Sequence, residues 1–298
     1  MPSLINQLNA IKLDAPRSTL VLHSDGVRLC AAVVRAAPGG GRIAAAACSL
    51  EPEPRLALGA VLADLRAQGV RRPPKRPILI SASALPALLE LPVDPRQPRP
   101  AAQMHELVRW EMESLFSEQA GRWCLGALLM ARGEIDASQR QRIAAAQARP
   151  SEDPAAAPSG RGGPARRPKF GEVAVRMGLV DPETVDTCLA LQARLAQGDD
   201  DLVCGWRGQT EALTAEDEDG GEAGFPWLAA AIPEGERAAW VRACERYGLF
   251  LSAIVPQLGG RFAAQAAPHD DTLYLEWQAE QLLVVRGAPG RIRRLRVV

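Results

Sequence analysis

Side chains suited to metal ligation or nucleophilic attack are few and dispersed in this sequence. His23, His105 and His269 are too far apart for a metal-ligand set. The six cysteines (Cys30, Cys48, Cys124, Cys188, Cys204 and Cys244) include no C-x-x-C pair. Neither the phosphate-cradling G-x-x-x-x-G-K-[ST] loop nor a G-x-S-x-G nucleophile turn occurs. Asp94 and Glu113 are the nearest thing to an acid pair, and their spacing gives them no common task. What does recur at fixed spacing is glycine. KFGEVAVRMGLVDPETVDTCLALQ (Lys169 to Gln192) sets Gly171 and Gly178 seven residues apart, with Gln192 fourteen further on. CLGALLMARGEIDASQRQRIAAAQ (Cys124 to Gln147) sets Gly126, Gly133 and Gln147 in the same way, at an offset of 45 residues.

Each copy reads as a short helix, a turn and a second helix. In the second copy Gly178 closes a helix built on Val173, Val175 and Met177. Asp181 is then the N-cap, Pro182 takes the first helical position, and Val185, Leu189 and Gln192 fall on one face. Two such hairpins are expected to pack as a pseudo-symmetric pair. Between them, residues 150–168, including PSEDPAAAPSGRGGPARR, cannot bury enough apolar surface to offset their ordering entropy and read as a flexible linker.

The flanks carry a different grammar. Ser18–Ser24, Val27–Arg35 and Arg42–Leu50 predict three antiparallel strands, with the glycine-rich stretch from Ala37 to Gly41 as a turn. Leu56–Gln68 has helical apolar spacing and Pro77–Ser81 reads as a buried strand, so a crossover helix implies a mixed sheet. Ala101–Phe116 predicts a long helix with Met104, Leu107, Val108, Trp110, Met112 and Leu115 on its apolar stripe. TAEDEDGGEAG (Thr214 to Gly224) reads as a solvated acidic loop. Beyond it, Phe225–Ile232 predicts a strand, Glu234–Tyr247 a helix and Leu249–Val255 a strand. Thr272–Trp277, Gln281–Arg286 and Arg291–Val297 predict a closing meander, with a turn at 287–290.

Length and composition leave room for two domains, or for one domain carrying an insert. Lys plus Arg and Asp plus Glu number 35 each, so no bulk field favours nucleic acid or an anionic membrane. The longest apolar runs, such as Ile43 to Leu50, are far short of the ~20 residues that span a bilayer. The N-terminus lacks a signal-peptide pattern, and a reducing cytoplasm is the simplest reading of the dispersed cysteines.

The tandem pattern resembles the MshEN module of type II secretion and type IV pilus assembly ATPases, whose paired motifs bind cyclic di-GMP. The resemblance implies that apolar side chains pack on the guanine and ribose faces and that main chain near the glycines comes close to the ligand. Carried over residue by residue, it points to Lys169, Phe170, Gly171, Val175, Gly178, Leu179, Val185, Leu189 and Gln192, with Lys169 meeting phosphate, and in the first copy to Leu125, Gly126, Leu129, Gly133 and Gln147. Here the first copy departs from the pattern. Cys124 stands at the basic position, Glu134 at an apolar one, and Arg140 and Ala144 at the two leucines.

The flanks resemble the actin-like assembly proteins of type IV pili and type II secretion, the PilM, MshI and GspL group. STLVLHSDGVRLCAAVV, PILISASALPALLELPVDPRQ, MHELVRWEMESLF and WLAAAIPEGERAAWVRACERYGLFLSAIVP carry that likeness. It implies an α/β, actin-like (ribonuclease H-like) mixed-sheet domain interrupted by a helical tandem-motif module. The expected boundaries are 1–120 for a first subdomain, 121–213 for the insert and 214–298 for the start of a second subdomain. Actin-like nucleotide sites place an Asp and glycines in the first strand hairpin, where this chain has His23, Ser24, Asp25 and Gly26. In the second hairpin Glu276, Trp277 and Gln278 replace the Asp, Gly and small hydroxyl residue of that pattern. The expectation is therefore a non-enzymatic cytoplasmic scaffold, at most peripheral at the inner membrane, with no metal and no certain cofactor, and with cyclic di-GMP as a candidate regulatory ligand. Its expected partners are PilN-like inner-membrane platform proteins and the assembly ATPase, not nucleic acid. A ligand-free docking scaffold and an ATP-binding ATPase are the alternatives. An actin-like second half would normally continue past Val298.

Overall fold

A computed structural model describes residues 18–37, 40–118, 123–148, 168–195, 201–210, 224–259, 273–278, 281–288 and 291–297. The expected linker (apart from Pro168), nearly all of the acidic loop and the N-terminal stretch lie outside the described residues. The chain divides into two units, one formed by 1–120 together with 197–298 and the other by 121–196.

The first unit is mixed α/β. Strands β1 (Ser18–Ser24), β2 (Leu29–Ala37) and β3 (Gly40–Ser49) form the antiparallel meander expected from their apolar alternation. Glu53 caps helix α1 (Pro54–Ala67), accepting from the N–H groups of Arg55 and Leu56, with Pro54 at the first helical position. Leu58, Val61, Leu62 and Leu65 recur at helical spacing and are buried with Leu20, Leu22 and Leu79. Each such side chain contributes about 1.5–3 kcal/mol when fully buried. The helix returns the chain to β4 (Ile78–Ser81), which lies parallel to β1. The Gln68 side chain then pairs with both backbone groups of Ala46 (2.8 and 3.3 Å), covering part of the β3 edge.

Strand β5 (Leu85–Leu91) opens a second sheet, and helix α2 (Ala101–Glu118) packs on it through Met104, Val108 and Met112. Trp110, expected on the apolar stripe, is 76% exposed. It lies two residues from Val108, about 200° around the helix, while the 104–108–112 row faces the sheet.

Among the described residues of the second unit are four helices: α3 (Leu125–Arg132), α4 (Ala137–Ala148), α5 (Phe170–Arg176) and α6 (Pro182–Leu195). The helical unit ends before 197, not at 213. The short run Leu202–Gly208 forms strand β6, which pairs with β7 (Phe225–Pro233) and completes the sheet order β5-β7-β6. Helix α7 (Glu234–Arg246) then leads back to β8 (Ala253–Pro256), parallel to β4 at the edge of the order β3-β2-β1-β4-β8. The strand expected from Leu249 begins only at Ala253. Phe250 and Ser252 instead donate to the Lys75 and Pro77 carbonyls ahead of it.

Strands β9 (Leu273–Gln278), β10 (Gln281–Ala288) and β11 (Arg291–Val297) form a third, antiparallel sheet. Buried Gln209 holds it, its side chain accepting from the Ile292 N–H (2.9 Å) and donating to the Ile292 carbonyl (3.3 Å). Register also places Cys30 opposite Cys48 on β2 and β3, where they form a disulfide with Cα atoms 4.1 Å apart. Sequence spacing offers no such pair, and the reading of all six cysteines as dispersed reduced thiols holds only for Cys124, Cys188, Cys204 and Cys244. No helix among the described residues is long and apolar enough to cross a membrane.

Candidate functional site: a two-fold helical repeat

The landmarks of the two sequence copies coincide in three dimensions. Cys124 and Lys169 precede α3 and α5 with the same extended backbone, at φ −68°, ψ 152° and φ −72°, ψ 152°. Gly133 (φ 79°) and Gly178 (φ 65°) then turn the chain in the left-handed region, where a Cβ is strained. Asp136 accepts from the Gln139 N–H (2.8 Å) and Asp181 from the Thr184 N–H (2.7 Å). These backbone bonds hold both carboxyls below their ordinary value, with the Ser138 and Thr184 hydroxyls adding to the effect.

The copies meet reciprocally. A Cβ on Gly126 would stand 3.1 Å from Phe170 Cζ and 3.2 Å from Arg140 Nε; one on Gly171 would stand 2.8 Å from Val185 Cγ1 and 3.2 Å from Leu125 Cδ2. Positions 125 and 170, and likewise 140 and 185, are equivalent in the repeat. Each glycine therefore receives the first side chain of the other copy's first helix and one side chain of its own copy's second helix. Residue i touching j while j's equivalent touches i's equivalent is the signature of a pseudo-two-fold axis. The close approach that the resemblance assigns to a ligand is made at Gly126 and Gly171 by protein side chains.

The remaining expected site residues sort by depth. Leu129 (0% exposed) and Val185 are buried with Gly126 and Gly171, in the interior of the unit. Leu125, Phe170, Val175, Leu179, Gln147 and Gln192 are half-buried, while Lys169, Gly133, Gly178 and Leu189 are exposed. The buried face of α6 is Val185, Cys188, Leu191 and Leu195. Leu189, at 44% exposure, is therefore off the face that sequence spacing had given it. The half-buried and exposed members are the ones a ligand can reach.

Charge in the first copy is rearranged. Arg140 directs Nη2 at the Cys124 Sγ, 3.8 Å away. Arg132 at the end of α3 faces Glu134, with Nε 3.6 Å from Oε1. Cys188 is buried on the inner face of α6, and that burial pushes its thiol above its ordinary value.

In the first unit, the turn that joins β1 to β2 is closed on itself. Asp25 Oδ1 accepts from the N–H groups of Val27 (2.9 Å) and Arg28 (2.6 Å), and the Ser24 hydroxyl accepts from Gly26 (3.4 Å). The backbone donors that a phosphate would need are thus already engaged. His23 beside this turn is pushed below its ordinary value by burial, against the pull of Asp25. In the second hairpin, Glu276 is buried and accepts from the Gly259 N–H (3.0 Å) and the Tyr274 hydroxyl (3.3 Å).

No protein-family model and no curated protein matches the chain. Among the solved structures that match the chain are two from assembly systems. One is a PilM-PilN type IV pilus biogenesis complex, at 15% identity and a TM-score of 0.44, covering 95% of this chain and 62% of that one. The other is the cytoplasmic domain of EpsL, an inner membrane component of the type II secretion system of Vibrio cholerae. It is 11% identical with a TM-score of 0.37, and the match covers 94% of this chain and 71% of that one. The chain thus spans less than two thirds of the pilus-complex chain. Both likenesses are shallow.

Sequence reasoning missed a cleft of about 950 Å³ in the first unit, whose lining includes Arg99, His105, Trp206, Arg207, Arg237 and Leu251. The His105 and Trp206 rings stand edge to face, 6.2 Å between centroids. Glu234 pairs with Arg237 (2.6 Å to Nη2), and that hydrogen bond holds its carboxyl below the ordinary value. Basic groups beside apolar ones suit an acidic group on an apolar body. The lining comes from separate segments of the chain, with no local motif to announce it.

Proposed function

We propose that this chain is a non-enzymatic scaffold of a type IV pilus or type II secretion assembly platform, and that its helical repeat binds cyclic di-GMP. In this reading the first unit is actin-like and works at the cytoplasmic face of the inner membrane with a PilN-like partner, the assembly ATPase being a second one. The observation that supports the ligand is the reciprocal packing of Gly126 with Phe170 and of Gly171 with Leu125. Cyclic di-GMP consists of two identical halves, and a host of two equivalent halves can offer each half the same surroundings. Half-buried Leu125, Phe170, Val175 and Leu179 supply apolar faces for the bases, and exposed Lys169 supplies a cation for phosphate.

A scaffold rather than an ATPase is favoured by the closed β1–β2 turn, whose N–H groups are held by Asp25 and Ser24. Opening it for phosphate would break hydrogen bonds worth about 0.5–1.5 kcal/mol each. Burial of Leu129 and Val185 favours a second reading, a ligand-free repeat that serves only for protein docking.

Calorimetric titration of the full chain with cyclic di-GMP and with magnesium-ATP separates these. Heat with cyclic di-GMP alone is the expected result. No heat with either ligand leaves the docking scaffold, and heat with magnesium-ATP accompanied by release of inorganic phosphate overturns the non-enzymatic assignment.

A further inference from the structure

We infer that Arg140 is the ligand-side cation of the first repeat copy, replacing from the second helix the basic residue that Cys124 does not provide. The inference rests on the cyclic di-GMP reading and extends it, because sequence comparison counts both Cys124 and Arg140 as losses.

Position 140 is the equivalent of 185. In the second copy Val185 fills the space beside Gly171, with Cγ1 2.8 Å from where a Cβ would be, and it is buried. Arg140 occupies the corresponding space beside Gly126, with Nε 3.2 Å from the Cβ position. The arginine is longer than valine. Its guanidinium thus enters, at Nε, the space where valine packs and runs on along the first turn of α3. Nη2 arrives 3.8 Å from the Cys124 Sγ, at the residue equivalent to Lys169. A charge lost at the start of the motif is thus returned to the same place from sixteen residues further along the chain.

Glu134 does not cancel this cation, since Arg132 faces it at 3.6 Å. Both departures that weigh against an anion in the first copy are therefore offset by arginines of that copy. A guanidinium presents five donors in a planar fork and can take a phosphodiester through two oxygens, whereas Lys169 offers a point charge. The two halves of the site are thus alike in charge and different in geometry.

The test uses the full chain and cyclic di-GMP, with calorimetric affinity measured for wild type, Arg140→Gln, Lys169→Gln and the double variant Cys124→Lys with Arg140→Val. Loss of a charge-assisted contact in Arg140→Gln is expected to weaken binding by about tenfold or more and to reduce its salt dependence. The double variant reproduces the Lys–Val arrangement of the second copy and should restore wild-type affinity. If circular dichroism shows that Arg140→Gln fails to fold, the comparison of Arg140→Val alone with the double variant carries the test: weaker binding by Arg140→Val that Cys124→Lys restores supports the inference, and equal affinity of the two overturns it. If wild type binds, Lys169→Gln binds weakly and Arg140→Gln is unchanged, this inference falls and the cyclic di-GMP reading stands. A lower melting temperature in Arg140→Gln with unchanged affinity and salt dependence assigns Arg140 to packing and overturns it too. Absence of binding by wild type overturns both.

Discussion

Substituting Gly171 by alanine places a methyl 2.8 Å from Val185 Cγ1 and 3.2 Å from Leu125 Cδ2. Carbon atoms pack best at about 3.5–4.0 Å, so the first contact is short by about 0.7 Å or more. Both neighbours belong to a packed interior, and overpacking of this kind costs about 1–3 kcal/mol. Alanine recovers up to about 1 kcal/mol of helix propensity, and less at this second position of α5 than in a helix interior. The net expectation is a loss of about 1–2 kcal/mol. At Gly126 the atoms in the way are Phe170 Cζ at 3.1 Å and Arg140 Nε at 3.2 Å, both far along longer side chains. Gly126→Ala should therefore cost less than Gly171→Ala. Hydrogen exchange in residues 170–195 of the full chain, measured under urea, reads the loss locally. Adding Val185→Ala to Gly171→Ala should cost less than the sum of the single changes, because the new methyl enters space that the valine vacates. A neutral or stabilising Gly171→Ala would refute the packing account of the glycine.

Asp136 and Asp181 have depressed carboxyl values, so their contribution to the folded repeat is present above their ordinary value of 3.8 and is lost as pH falls through the lowered values. Replacing both with Asn keeps the caps but removes the titration, and acid unfolding followed by circular dichroism should become flatter over that range. Trp227→Phe leaves the Val93 carbonyl without the 2.8 Å bond from the indole N–H and should destabilise the first unit by about 1–3 kcal/mol in urea unfolding. Burial pushes the Cys204 thiol up to about 12 and Cys244 to about 11. Alkylation of the native protein at neutral pH, mapped by mass spectrometry, should therefore reach half-buried Cys124 before either, and Cys30 and Cys48 only after reduction. Asp25→Ala should loosen the β1–β2 turn, seen as faster exchange of the Val27 and Arg28 amides, without creating ATP binding.

The repeat was legible because its landmarks are backbone demands. A left-handed turn at 133 and 178 wants glycine, and the helix start after 136 and 181 wants a short acceptor, so spacing alone revealed both copies. The strands of the first meander were legible for a similar reason, as their apolar alternation matches the pleat. Depth was harder to read. Leu189 and Trp110 are apolar and lie in helices, yet only contacts with the neighbouring elements decide which helical face is inside. Strand β6 was hidden because LVCGWRG is short and its partner β7 lies beyond the acidic segment. Cys30 and Cys48 pair only through register, and Arg140 meets Cys124 only through the reach of a side chain from another helix. None of these leaves a local pattern in the sequence.

In the proposed reading one two-fold ligand engages both copies of the repeat. Hydrogen exchange of the full chain with and without saturating cyclic di-GMP tests it most directly. Slower exchange is expected at the starts of both α3 and α5, around Gly126 and Gly171, with the β1–β2 turn unchanged. Unchanged exchange in both copies, or protection confined to one of them, would contradict it.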